Sequence, residues 1–567
     1  MKVLLISPPR EKPVFADFPP MGLAYLAGVL RKNGINVKII DAASYPWNIL
    51  EKCIRSYDFD IAGVTCWTIE RKQTFLTAKL IRECRPDAKI VIGGQHATAL
   101  PEHMFTLAEA DVVVLGEGEE TFLELVQALR DGVPLSSVNG IVYKENGKFY
   151  KTNPRSLIGN LDDLPFPVYE DFDFTLYHGL PEVNEPCAAL ITSRGCPYRC
   201  IFCSSTVFWG KKWRMRSAEN ILEEMKYLNQ KFGLRAFFFF DDTFIANKER
   251  VVKLCQMIIE DNFEIKWACC GRVNQVDEEI LCWMKKAGCY RIDYGVESGS
   301  PRILRNIKKG ITVNDIKKAF KLSHQAEILP RAYLMMGNPG ECEESVNETI
   351  GLMKEIKPYN SADAQLLWVL PNTELYESMK VKGLISDRFW VENTKTCFYT
   401  AEHSMEELQR LRNNLRNKLT LKSSDYYEPK FPILLEAGRL FLSEDLEKEA
   451  FWIFDKIVEL DPECIEVHYY LGSYFEEEGD FCKAEKEFEQ VISIANTYDF
   501  CIIEEYVGGA YYHLGMIYKE TSEKEKAKRE FENCLKLIPT HKKAKEYLKE
   551  LDQQGLSRDF KKTKILS

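Results

Sequence analysis

Short apolar runs alternate with amphipathic stretches through the first 150 residues of this chain. Residues 2–6, 37–41, 61–65, 90–93 and 112–115 are predominantly apolar runs of strand length. Between them, Met21 to Asn33, Thr74 to Glu83 and Glu119 to Arg130 carry apolar residues at helical spacing. Strands buried on both faces read as continuous apolar runs, so the alternation predicts a doubly wound parallel sheet. Such sheets take ligands at the carboxyl ends of their strands. Glycines fall there: Gly93-Gly94 and the run Gly116-Glu117-Gly118-Glu119. Glycine lets a backbone approach a ligand closely and adopt positive φ. Ile141 to Lys151 then reads as a hairpin turning at Glu145-Asn146-Gly147. The proline-rich stretch Leu161 to Pro167 reads as an extended connection.

The alternation resumes after residue 186. Ala218 to Phe232 is helical, with Ile221, Met225 and Leu228 on one face. Ala236 to Phe240 is an apolar strand run ending in Asp241-Asp242. Residues 265–268, 291–294, 332–336 and 366–370 are further strand runs. They lead into Gly271-Arg272, Gly295-Val296-Glu297, Gly337 to Glu341 and Pro371 to Tyr376. About six strands alternating with helices predict a partial (β/α)6 barrel, whose chemistry sits at the carboxyl ends of its strands. From residue 430 to about 550 the pattern is wholly helical and repeats. Gly438, Ala450, Phe454 and Pro462 are echoed by Gly472, Ala484 and Phe488. They are echoed again by Gly515, Ala527, Phe531 and Pro539, after excess chain around Asn496 to Glu504. Small residues let helices approach, and the aromatics fill the seam. The expected fold class is therefore α/β, with a Rossmann-like module, a barrel and an α-helical tail.

Composition narrows the class only a little. Hydrophobic residues make up 45% of the 567 positions and charged residues 28%, as in ordinary globular proteins. A net charge of −10 argues against a general nucleic-acid binder. No apolar run is long enough to span a bilayer, and the short apolar start at Met1 to Ile6, running into Ser7-Pro8-Pro9, is too brief to be expected as the apolar region of a secretory leader. With 18 cysteines, the expectation is a cytoplasmic chain with reduced thiols. Cys53, Cys66, Cys84, Cys255, Cys282, Cys464, Cys482, Cys501 and Cys534 lie in apolar patterns and read as small hydrophobes.

Three other cysteines stand apart, in Arg194-Gly195-Cys196-Pro197-Tyr198-Arg199-Cys200-Ile201-Phe202-Cys203. Thiolates this closely spaced on one loop can converge on a metal centre. An iron–sulfur cube ordinarily takes four. Supplying three leaves one iron open, and an open position marks a catalytic metal rather than a structural one. A zinc site or three buried thiols remain the alternatives on spacing alone.

This cysteine run, with an aromatic before its third cysteine, resembles the signature of the radical S-adenosylmethionine (SAM) enzymes. The resemblance implies that Cys196, Cys200 and Cys203 hold a [4Fe-4S] cluster, with SAM chelating the open iron and cleaved by one electron to a 5′-deoxyadenosyl radical. It further implies a SAM pocket formed by Phe202, Asp241, Asp242, Arg272, Glu297 and Gly340, with Glu297 bonding SAM or pairing with Arg272. Ser7-Pro8-Pro9, Pro20 to Ala27, Gly93 to Thr98, Pro101-Glu102 and Gly116 to Glu119, in that order, resemble the cobalamin-binding domain of one branch of this superfamily. The implied cobalamin contacts are Pro9, Gly22, Leu23, Gly93, Gly94, His96, Thr98, Gly116, Glu117, Gly118 and Glu119. The older Asp-x-His-x-x-Gly signature is missing, so the usual histidine below cobalt is not expected. Likewise the repeats are similar to tetratricopeptide helix pairs, whose groove would take a protein partner or serve as scaffold.

The expected organisation is residues 1–150 for cobalamin, 151–185 as linker, 186–425 as the radical domain and 430–550 as the repeats. The expected activity is methyl transfer from SAM, through cobalamin, to an unactivated carbon or phosphorus centre of a small molecule or peptide. A flavodoxin- or ferredoxin-type electron donor would supply the electron. The same cofactors used for cyclisation, oxidation or rearrangement form the alternative enzyme reading. A cofactor-sensing adaptor is the non-enzymatic one.

Overall fold

The computed structural model describes residues 1–10, 18–43, 47–174, 177, 179–180, 182–183, 185–210, 212–359, 364–392, 396–419, 435, 447–495, 504–538 and 541–551. The chain divides into two compact units, Met1–Leu421 and Lys422–Ser567. Two sheets share the first unit.

The first sheet contains β1 (Lys2–Ser7), β2 (Asn36–Asp41), β3 (Ile61–Thr65), β4 (Lys89–Gly93), β5 (Val112–Val114), β6 (Ile141–Glu145) and β7 (Lys148–Lys151). Its order is β2-β1-β3-β4-β5-β6-β7. The first five strands are parallel, and the predicted hairpin joins the edge antiparallel. Strand alternation explains its two cores. Val3 and Leu5 pack with the helix Met21–Lys32 on one face, while Leu4 and Ile6 pack with Leu50, Ile54 and Ala78 on the other. The order reverses between β1 and β3, the kind of switch point where open α/β sheets bind ligands.

The second sheet is formed by β8 (Cys187–Leu190), β11 (Ala236–Phe239), β12 (Lys266–Gly271), β13 (Cys289–Glu297), β14 (Leu329–Met336) and β15 (Gln365–Leu366). All pairings are parallel, in the order β15-β14-β13-β12-β11-β8. It is the predicted open half-barrel. Trp267 and Cys269 point out to the helices, while Ala268 and Cys270 point to the inner face beside Phe238 and Tyr290. A short antiparallel ladder, β9 (Ser193–Arg194) with β10 (Arg214–Met215), brackets the cysteine loop.

In the second unit, helices Glu447–Leu460, Ile465–Glu477, Phe481–Ala495, Glu504–Glu520 and Lys524–Leu537 follow one another. The repeat logic is visible in contacts. A Cβ on Gly472 would lie 2.7 Å from the Phe488 ring, and one on Gly515 would lie 2.6 Å from Phe531. Gly438, Pro539, Cys501 and residues 496–503 lie outside the described residues. Among the described residues no helix is long and apolar enough to cross a membrane. Cys282 and Cys482 are exposed, not buried as their patterns implied. Each sits on a helix whose apolar stripe faces away from it.

Candidate active site

The cysteine loop leaves β9 through Gly195, whose φ of +86° and lack of a side chain are both required. A Cβ there would lie 2.8 Å from the Lys212 carbonyl oxygen. Cys196, Cys200 and Cys203 are all half-buried. Burial pushes the Cys203 thiol up to about 12 and raises Cys196 as well, so metal binding here must displace protons. Among the described residues no three His, Cys, Asp or Glu side chains stand close enough to hold a single metal ion. This is compatible with a cube, which offers each thiolate a separate iron and so spreads the thiolates apart.

The loop is anchored from several strands. Ile201 N donates to Ile307 O (3.2 Å) and Leu375 N donates to Ile201 O (2.9 Å). Phe202 packs with Ile303, Ile307, Leu367 and Val369. Arg272, at the end of β12, lies 3.6 Å over the Tyr198 ring and 3.9 Å from Cys200 Sγ. Gln275 takes Thr243 Oγ1 (2.6 Å) and Arg272 N (3.2 Å), and donates to Tyr198 OH (3.3 Å). A planar cation beside the loop suits a site that becomes anionic on loading.

The two carboxylates after β11 take different parts. Asp241 is buried and accepts from Thr192 N (2.6 Å), Ser193 N (2.9 Å) and Thr192 Oγ1, with Arg250 3.8 Å away. It ties β11 to the strand entering the cysteine loop, in place of the expected SAM contact. Asp242 accepts from Ser205 Oγ and remains water-accessible. Desolvation by the surrounding walls raises its carboxyl above the usual range. Glu297 has φ +63° and pairs with Lys309 Nζ (2.7 Å), not with Arg272. Lys309 stands between them, its carbonyl accepting from Arg272 Nη2. Gly340 N donates to Glu402 (2.6 Å) on an exposed rim, and Asn306 fills the space a Cβ would need.

At the carboxyl edge of the first sheet, Gly94 (φ +105°) passes so close to Cys66 that a Cβ would meet its carbonyl oxygen at 2.8 Å. Thr98 Oγ1 accepts from Gly116 N (3.0 Å), and Gly93 is half-exposed. Gly118 abuts Leu26, and Gly22 lies open to solvent. Trp67, exposed at the end of β3, was not singled out from the sequence. Pro9 and Leu23 are buried, Leu23 within the core against the first sheet. His96 is 0% exposed. Its Nδ1 lies 3.3 Å from Thr68 Oγ1, its Nε2 has no partner among the described residues, and the Trp390 ring stands 5.8 Å away. Burial first, then Arg71 and His103, push the His96 pKa down to about 3. It is a neutral core imidazole, enclosed on all sides.

Glu117 and Glu119 also depart from expectation. Arg194 takes both, Nη1 at 2.9 Å from Glu117 and Nη2 at 2.5 Å from Glu119. Arg214 Nη1 lies 2.8 Å from Glu117, and Ile158 N donates to Glu117 Oε2 (2.9 Å). Loop carboxylates of the first sheet are thus spent on arginines flanking the cysteine loop of the second.

With this geometry in view, the comparisons are specific. Residues 190–353 match the radical SAM superfamily, residues 13–126 the B12 binding domain and residues 508–541 a tetratricopeptide repeat. An "uncharacterized methyltransferase" of Pyrococcus horikoshii is 35% identical over 76% of this chain and 93% of its own length. The chain belongs to the B12-binding branch of the radical SAM superfamily. Cytidylyl-2-hydroxyethylphosphonate methyltransferase of Streptomyces wedmorensis is 27% identical over 61% of this chain and 75% of its own. An anaerobic magnesium-protoporphyrin IX monomethyl ester cyclase of Rubrivivax gelatinosus is 27% identical over 68% and 71%. Among solved structures, the radical SAM methyltransferase TsrM from Kitasatospora setae, with cobalamin and a [4Fe-4S] cluster bound, superposes with a TM-score of 0.57. It covers 67% of this chain and 75% of TsrM at 20% identity. The radical SAM enzyme of this branch therefore uses SAM, a [4Fe-4S] cluster and cobalamin as its cofactors.

Proposed function

We propose that this enzyme transfers a methyl group from SAM, through cobalamin, to an unactivated carbon or phosphorus centre. The observation that carries the reading is the placing of a three-cysteine loop at the carboxyl edge of one parallel sheet, tied by Arg194 to the carboxyl-edge loop of the other. When bound, the three cofactors supply a carbon-centred radical and a transferable methyl group.

The chain's own residues then bind, orient and exclude water. In this reading Cys196, Cys200 and Cys203 hold the cluster, and Arg272 offsets its charge. Asp242 and Glu297, at the carboxyl ends of β11 and β13 with β12 between them, face SAM, with Phe202 packed beside it. Gly93, Gly94, Thr98 and the backbone of residues 116–118 admit the corrin at the first sheet's edge. Residues 1–150 and 186–425 are the two cofactor modules, and 430–550 the repeat tail. That tail offers a protein-binding groove, and a flavodoxin- or ferredoxin-type donor feeds the electron.

The test is anaerobic reconstitution followed by assay of iron, cobalt and 5′-deoxyadenosine, on wild type and Cys200→Ala. The variant should lose the cluster and SAM cleavage together; full SAM cleavage by it would sink the cluster assignment. Methyl-labelled SAM, supplied with extracts of the source cell, separates the reactions. Label entering a product supports methyl transfer. Formation of 5′-deoxyadenosine with the label recovered only in methionine and unreacted SAM, and none in a product, would favour the cyclase-like chemistry suggested by the name of the Rubrivivax relative.

A further inference from the structure

The buried ion pairs joining the two sheets have a geometry beyond what cofactor binding requires. Arg194 and Arg214 are direct cross-strand partners in the β9/β10 ladder, so two guanidinium groups lie side by side. Both are almost fully buried, at 4% and 3% side-chain exposure. Adjacent buried like charges are tolerated only with counter-charges in contact. The counter-charges come from the other sheet, since Glu117 and Glu119 follow β5. Burial alone would lower the Arg194 pKa, but Glu119 and Glu117 hold it above its ordinary value. The rings of Tyr25 and Trp209 lie 5.4 and 5.2 Å from the Arg194 guanidinium and confine it further. Arg214 and Glu117 both also hold the backbone of Ile158, through its carbonyl (2.7 Å) and its N–H (2.9 Å).

Both ends of this network lie next to the proposed cofactor sites. Glu117 sits between Gly116 and Gly118 in the loop assigned to cobalamin. Arg194 is two residues from Cys196, and Gly195 between them is wedged against the Lys212 carbonyl. A shift of the Arg194 backbone therefore has little slack before it reaches the first cysteine.

We propose that Glu117 and Glu119 are positioning residues which, acting through Arg194, set the placement of the cluster loop relative to the cobalamin loop. The proposal rests on the functional reading above for what each loop carries. A merely structural ion pair would affect stability and cofactor content together. A positioning pair alters the distance between the two metal centres while both stay loaded.

The experiment uses full-length protein reconstituted with iron, sulfide and cobalamin, reduced so that cluster and cobalt are both paramagnetic. Pulsed electron paramagnetic resonance then reads the cluster–cobalt distance. In Glu119→Gln, iron and cobalt content should match wild type, while the distance distribution broadens or shifts. The rate of 5′-deoxyadenosine formation should fall 10- to 100-fold, on the order expected for a misplacement of about 1 Å. Glu119→Asp keeps the charge but shortens the reach. It serves as the second variant if Glu119→Gln fails to fold, and should shift the distance in the same way. An unchanged distance distribution in whichever variant loads both metals overturns the proposal. Failure of wild type itself to show a coupled cluster–cobalt pair would instead overturn the functional reading beneath it.

Discussion

Gly94→Ala should separate the two reasons a glycine is needed. Gly94 lies at φ +105°, ψ −174°, a region essentially restricted to glycine, and placing alanine there costs about 1–3 kcal/mol. The new Cβ would also stand 2.8 Å from Cys66 O and 3.0 Å from Cys66 N. Both are backbone atoms, and relieving such overpacking adds about 1–3 kcal/mol. The total expected is about 2–6 kcal/mol. Gly132 is the control. It ends the helix Glu119–Asp131 at φ +68°, with nothing within 4 Å of a built Cβ, so Gly132→Ala bears only the backbone term of about 1–2 kcal/mol. Urea denaturation of the two variants measures the difference. Absorbance titration with hydroxocobalamin measures the consequence at the site. Relief of the clash must move Cys66, whose N–H bonds Gly93 O (2.8 Å) and whose carbonyl accepts from His96 N (3.1 Å). The loops at the ends of β3 and β4 move with it, so Gly94→Ala should weaken cobalamin at least about tenfold and Gly132→Ala should leave it unchanged. Equal destabilisation by the two variants, with equal cobalamin affinity, would refute the close-approach reasoning.

His96 is held neutral by burial with its pKa near 3, so the unfolded chain binds more protons than the folded one between about pH 3 and the ordinary value near 6.5. Its contribution is therefore complete above about pH 6.5 and lost as pH falls through that window. Replacing it by Phe should flatten the stability–pH curve between pH 4 and 6 in urea titrations, whereas an unaltered slope would deny the histidine this role. Among the described residues, Arg216→Met leaves the fully buried Glu224 with only Tyr169 OH (2.5 Å), which should cost about 3–5 kcal/mol. The double variant Arg216→Met/Glu224→Leu should recover most of it, and a double variant as unstable as the single one would contradict this. Arg272→Lys keeps the charge but loses the planar stack on Tyr198, worth about 1–2 kcal/mol. Iron loss to a chelator should accelerate roughly tenfold, and an unchanged rate would remove Arg272 from the loop's support.

What could be read from the chain and what could not divide along physical lines. Strands β1, β3 to β5, β11 and β12 were legible because strands buried on both faces are written as near-continuous apolar runs, whereas β2, β13 and β14 carry charged residues within them. The cysteine loop was legible because its chemistry is local in sequence. The roles of Asp241 and Asp242 were not, although the pair was noticed. Consecutive residues at a strand end point to opposite sides, so only one of them can be presented outward. Asp241 turned back to Thr192 and Ser193, a choice set by a strand some 50 residues earlier. Glu117 and Glu119 show the same limit more sharply. A glycine-flanked acid at a ligand edge reads as a ligand contact when its surroundings are unknown. Its arginine partner lies 77 residues away on a different sheet and has no periodicity to reveal it. The arginines carried a weak signal, since Arg194, Arg214 and Arg216 all flank the cysteine loop. Charges there are buried with a partner or not at all. Two cations on one short ladder call for anions in contact, but nothing in the spacing along the chain says that the loop after β5 supplies them.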